Sequence, residues 1–196
     1  SDVYKRQSLG TGIILGGYWA YTTLGWGGYW AWDPVENSSF IPWIISLALI
    51  HGLVIQRKQG GLKKTNIALA LTTFVLVLYG SFLTRSGILT DFSVHSFGES
   101  ELSVYLLAFV LFFLFMGLLF FVYRANEVKG EKVQTELFTR ETFLLFGIIL
   151  FLILAAFTFI GTSSPLITSV FGEASNVSID YYLSLIHISE PTRLRR

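Results

Sequence analysis

The sequence predicts an all-α, polytopic membrane protein, and three observations carry that reading. The chain of 196 residues is 53% hydrophobic and only 14% charged, with a mean hydropathy of +0.60. Its apolar residues fall into five runs, each near the roughly 20 residues that a helix needs to cross a hydrocarbon core. The charges gather between the runs, where they mark topology. With a net charge of +1 they form no basic patch, which argues against a nucleic-acid partner. No internal repeat or heptad run is present, and no soluble stretch is large enough to bury its own core.

The elements follow in order. The run at 9–24 is glycine-rich ("LGTGIILGGYWAY"), which lets membrane helices pack closely, so it is kept as a span. The runs at 39–55, 66–83, 102–123 and 142–160 complete about five transmembrane helices. The loop 56–65 carries Arg57, Lys58, Lys63 and Lys64, and the loop 124–141 carries Arg124, Lys129, Lys132 and Arg140, so both are expected on the cytoplasmic side. The loop 84–101 holds a single base, Arg85, against Asp91, Glu99 and Glu101, and is expected on the outer face. The ends "SDVYKRQ" (1–7) and "SLIHISEPTRLRR" (184–196) resemble translated sequencing adaptor and do not continue their neighbours. The transmembrane body is therefore placed at 8–183, His187 is discounted, and the chain reads as an internal fragment of a longer membrane protein. It contains no cysteine, so any thiol chemistry must use a partner's sulfur.

Residues 26–43, "WGGYWAWDPVENSSFIPW", share the outer face with loop 84–101. One reading is an interfacial aromatic belt. The other is a shelf for a flat ligand, with Trp26, Tyr29, Trp30 and Trp32 packed around Gly27 and Gly28, where backbone approaches without a Cβ in the way. Asp33 is an expected N-cap, Pro34 the first helical residue and Glu36 the third, as in a capping box. The acids serve as caps on that reading, and the helix end offers N–H groups and a positive dipole to an anion such as a propionate.

Two histidines remain. His51, in "IISLALIHGLVIQ", lies seventeen residues after Pro34, roughly 25 Å along the helix and inside the membrane. It is either a neutral histidine bonded to a neighbouring helix or a metal ligand. His95, in "DFSVHSFGES", is either a solvated loop residue or a group reaching over the aromatic stretch. Arg85 either offsets its own helix dipole beside Gly87 or grips a carboxylate. Together, an aromatic shelf, an anion rest and an imidazole suit haem, which is flat, apolar, anionic at one edge and axially ligated.

The stretch "WGGYWAWDPVENSSFIPW" resembles the tryptophan-rich (WWD) signature of the cytochrome c-type biogenesis haem lyases of the CcmF/NrfE/CycK kind, and the likeness continues through "LTRSGILTDFSVHSF" over most of 9–170. That resemblance implies an enzyme, working within a complex, that attaches haem covalently to apocytochrome c at the periplasmic face of the bacterial inner membrane. It implies His95 as an axial ligand of the transferred haem and His51 as an axial ligand of a permanent haem b. Haem contacts are implied at Trp26, Gly27, Gly28, Tyr29, Trp30, Trp32, Asp33, Glu36, Asn37 and Arg85, with no residue assigned as acid or base. Implied partners are apocytochrome c, a haem chaperone, thiol-reducing maturation subunits, the lipid bilayer and quinol, with no nucleic acid. Tyr29 stands where tryptophan is common in the family, so the ring is kept and its packing differs. A haem exporter or chaperone of the CcmC or CcsA kind would share the shelf and His95 without needing His51. A structural or transport subunit would need neither histidine.

Overall fold

The computed structural model describes residues 2–24, 28–93, 95–98, 101–134 and 136–189. Of the expected ligand contacts, Trp26 and Gly27 lie outside the described residues. Seven α-helices and one π-helical turn make up the described structure: α1 (Asp2–Trp19), the π turn (Ala20–Leu24), α2 (Pro34–Gln59), α3 (Lys63–Arg85), α4 (Ser103–Arg124), α5 (Arg140–Thr162), α6 (Ser164–Phe171) and α7 (Ile179–Ser189).

The helix α2 is the axis of the bundle, packed against α3 and α5, with α1 on its flank, α4 beyond α3, and α6 and α7 on α5. Ile41, Ile44, Ile45, Ala48 and Ile55 recur at three- and four-residue intervals and bury one stripe of α2 against Leu69 of α3 and Ile148 and Ala155 of α5. Phe82, Leu83, Leu89 and Val110 form a second cluster that joins α3 to the loop after it and to α4. Pro42 inside α2 cannot bond the Ser38 carbonyl one turn back, and Gly80 of α3 packs directly over that carbonyl. The helix ends where Gly60 takes a left-handed φ of 72° and donates its N–H to the Gln56 carbonyl at 2.8 Å.

Four helices, α2 to α5, are long and apolar enough to cross a membrane among the described residues. The first of the five expected spans is helical but falls short of that criterion. Its helix starts at Asp2 and takes in Lys5 and Arg6, so the stretch 1–7 that the sequence set apart continues the helix from residue 2, and α7 likewise crosses the boundary at 184. Most of α4 and one side of α5 expose large apolar side chains, such as Phe112, Phe115, Phe146 and Leu150, as lipid-facing helices do. At the end of the bundle where α2 finishes, Lys58 pairs with Glu141 of α5, and the Glu131 N–H donates to the Gly60 carbonyl at 3.2 Å, seating loop 124–139 on the α2–α3 turn.

Candidate functional site

At the opposite end the aromatic stretch meets the loop after α3, and Asp33 is where they join. Its Oδ1 accepts the Val35 N–H at 2.8 Å and the Glu36 N–H at 3.3 Å, which starts α2. The same oxygen accepts the Ser93 hydroxyl at 2.8 Å and lies 3.4 Å from His95 Nδ1. Ser93 Oγ in turn accepts the His95 backbone N–H at 3.1 Å. Glu36 reaches back as a capping box requires, but to the Ala31 N–H at 2.9 Å, two residues ahead of the cap. The helix end is therefore not the open anion rest that its sequence suggests, because Asp33 of the chain itself takes the first two N–H groups.

A cavity of about 560 Å³ opens beside this junction, within the usual range of small-molecule sites. Tyr29, Trp30, Glu36 and His95 line it from the aromatic stretch and the loop, and Gly12, Ile13 and Gly16 line it from α1. A Cβ at Gly12 or Gly16 would meet nothing within 4 Å, so bare backbone is what keeps this side open. A Cβ at Gly28 would meet only the Trp30 carbonyl oxygen, at 3.9 Å, and Gly28 is not among the lining residues. Tyr29 is exposed and stacks on Tyr21 of the π turn, with centroids 4.4 Å apart.

Trp30 and Trp32 do not form one plate. Their ring planes stand 87° apart, so a single flat ligand cannot lie on both. Trp32 has a left-handed φ of 56°, an uncommon backbone state for a bulky residue. Its carbonyl accepts the Asn37 Nδ2–H at 3.0 Å, and its ring lies flat on Tyr182 of α7. It lines a separate hollow of about 440 Å³ with Asp33, Phe92 and Tyr182. Asn37 is thus a buried brace for the Trp32 carbonyl and lies off the main cavity. Behind it, Asn37 Oδ1, Thr162 Oγ1 and the Tyr182 hydroxyl are buried without a hydrogen bond of good geometry. Burial pushes the Tyr182 phenol pKa up, and the neighbouring Thr162 and Asn37 side chains pull it partway back.

Arg85 is not brought to the cavity; its guanidinium sits 4.9 Å from the centre of the Phe97 ring, and Thr84 is the α3 residue that lines the space. His51 lies some way down α2. Its Nδ1 is 2.8 Å from the Leu47 carbonyl, which can only accept, so the proton is on Nδ1 and the lone pair on Nε2. The bond is to its own helix; the neighbouring helix supplies packing, with Phe151 edge-on at 5.3 Å and Gly147 against the ring.

These features fit haem in two respects. The cavity joins an apolar, aromatic lining to one imidazole, and His51 presents an Nε2 lone pair oriented by a backbone carbonyl, the usual support of an axial ligand. They fit less well at the propionate edge, since among the described residues neither Arg nor Lys lines the cavity. Three contributors were missed by sequence reasoning: Ser93, the Gly12–Gly16 face and Tyr182. The four-residue spacing of the glycines places them on one helix face and could have flagged that wall.

The bundle and this junction define a multi-pass α-helical membrane protein with an aromatic, histidine-bearing cavity at one end. The family described as cytochrome C assembly protein matches residues 7–89. The cytochrome c-type biogenesis protein CcmF of Pseudomonas aeruginosa is 45% identical over 160 residues, which is 81% of this chain and 24% of that protein. NrfE of Haemophilus influenzae is 37% identical over 177 residues, 89% of this chain and 27% of its own length. A solved structure of the cytochrome c haem lyase CcmF superposes with a TM-score of 0.65 at 30% identity, over 90% of this chain and 25% of that one. The chain belongs to the cytochrome c-type biogenesis haem lyase family of CcmF, NrfE and CycK, and spans about a quarter of the length of the relatives it matches.

Proposed function

We propose that this chain is the part of a cytochrome c haem lyase that holds haem while it is joined to apocytochrome c. The observation that carries this reading is the convergence of His95, Trp30 and bare α1 backbone on one cavity, in a chain of this family. Haem, the substrate, would lie in the cavity with His95 as one axial ligand and its vinyl edge outward. Each thiol of an apocytochrome Cys-x-x-Cys-His segment then adds across a vinyl group, forming a C–S bond while the thiol hydrogen goes to the other vinyl carbon. That addition is redox-neutral and leaves the protein the tasks of orientation and water exclusion.

His51 would be one axial ligand of a resident haem b. That group, when bound, supplies electrons, drawn from quinol, that keep the substrate iron reduced. Its second ligand, and the second ligand of the substrate haem, would come from parts of the longer protein. The active face is periplasmic in the bacterial inner membrane, as the basic loops 56–65 and 124–141 support. A haem chaperone and thiol-reducing subunits would deliver haem and reduced apocytochrome. The test is the full-length protein with His95→Ala or His51→Ala, scored by bound-haem spectrum and covalent cytochrome c. His95→Ala is expected to abolish transfer with the haem b spectrum kept, and His51→Ala to abolish that spectrum. Unchanged transfer and spectra in both would remove the proposal.

A further inference from the structure

We propose that Asp33 is a positioning residue for His95, fixing the imidazole at the cavity without touching the ligand. This rests on the reading of His95 as a haem ligand. A helix cap needs one or two N–H bonds, and Asp33 Oδ1 makes those to Val35 and Glu36. It goes further by taking the Ser93 hydroxyl at 2.8 Å and standing 3.4 Å from His95 Nδ1, which ties a loop sixty residues away to the first turn of α2. Ser93 holds the His95 backbone N–H, so the loop is tied through its main chain while the ring stands against the carboxylate. Asp33 itself is absent from the lining of the cavity, whereas His95 and Glu36 are present.

The chemistry favours one arrangement. A carboxylate can only accept, so its approach to Nδ1 favours the proton there and leaves the Nε2 lone pair for a metal. The carboxylate side chain is 11% exposed, so it faces the ring from a largely buried position. The segment's terminal aspartate therefore sets both the start of the helix and the aim of the histidine.

The experiment uses the full-length protein loaded with haem, with Asp33→Ser and Asp33→Asn. Serine caps a helix about as well as aspartate but is too short to hold Ser93 and His95 as well. Asp33→Ser is expected to weaken haem retention at the outer site about 10–100-fold, the range found when an outer-shell partner of a ligand is lost, with the haem b spectrum intact. In haem-free Asp33→Ser protein, amide exchange in residues 86–93 should quicken while residues 35–38 stay protected. Asp33→Asn keeps the cap and the Ser93 bond but removes the charge, and should fall between the two. Wild-type retention or wild-type exchange in Asp33→Ser would make Asp33 a cap only and overturn the proposal. If Asp33→Ser fails to accumulate, wild-type haem retention in Asp33→Asn overturns it instead. A wild-type protein with no haem at this site would remove the function proposed above, while the exchange comparison would still decide the role of Asp33.

Discussion

Tyr182 lies flat on Trp32, with ring centroids 5.1 Å apart and only 7° between the planes. One face of Trp32 is therefore covered by the chain itself. Offset stacking of this kind adds about 0.5–1.5 kcal/mol beyond burial, and here it also steadies a residue with a left-handed backbone.

Removing the ring and removing the hydroxyl should have opposite weights. Tyr182 is 2% exposed, and its hydroxyl has no well-formed hydrogen bond. Tyr182→Phe is expected to change stability by less than about 1 kcal/mol, because no strong bond is lost. Tyr182→Ala should cost about 3–5 kcal/mol, as for other buried aromatic truncations. Because burial raises the phenol pKa, the protonated tyrosine's contribution is complete below the ordinary value of about 10 and is lost as pH rises above it. Unfolding of the detergent-solubilised protein checks all three points; a large loss in Tyr182→Phe would mean that the hydroxyl is bonded after all.

The glycine face of α1 gives a prediction about space. Gly12 and Gly16 line the cavity and a Cβ at either meets no neighbour, so a side chain there starts in open space and grows into the ligand's volume. Gly16→Leu is expected to leave unfolding unchanged and weaken haem retention at the outer site by at least about tenfold, equivalent to about 1.4 kcal/mol. Wild-type haem retention in Gly12→Leu/Gly16→Leu protein would place the ligand elsewhere.

The legible parts of this molecule are those whose causes are local. The start of α2 follows from Asp33, Pro34 and Glu36 within four positions, and α2 to α5 follow from unbroken apolar runs. The contacts that build the site are remote in sequence. Nothing in "DFSVHSF" says that Ser93 will bond an aspartate sixty residues earlier, and nothing distinguishes Tyr182 from its neighbour Tyr181, which instead stacks on Phe157. The angle between Trp30 and Trp32 is hidden from the sequence for the same reason. Counting rings gives their number, while their angle is set by Phe40, Asn37 and Tyr182.

His51 offers a test that leaves the ligand in place. A Cβ on Gly147 would lie 3.1 Å from His51 Cδ2 and 3.3 Å from Nε2, close enough that the imidazole must give by a few tenths of an ångström. Gly147→Ala is expected to shift the reduced haem b spectrum and lower its occupancy, whereas Leu47, which offers only its backbone carbonyl, should tolerate Leu47→Met. Spectra of purified full-length protein distinguish the two. An unshifted spectrum in Gly147→Ala would mean that Nε2 does not face the ligand.

Gly52 and Asn66 form one of the close approaches between α2 and α3. A Cβ at Gly52 would fall 1.9 Å from Asn66 Oδ1, and Asn66 is held there by its Nδ2–H bond to Gln56 Oε1 at 2.6 Å. Gly52→Ala must therefore push Asn66 off that bond or part the helices, at about 1–3 kcal/mol for an overpacked site. Asn66→Ala alone leaves Gln56 without this partner and opens a gap, at about 1–3 kcal/mol. In the double variant the new methyl group enters the space that Asn66 vacates, so the two losses should not add, with a coupling of about 0.5–3 kcal/mol. Unfolding of the four proteins in one detergent measures that coupling. Simple additivity would show that the helices separate to admit the methyl group, and that the side chain of Asn66 does not set their spacing.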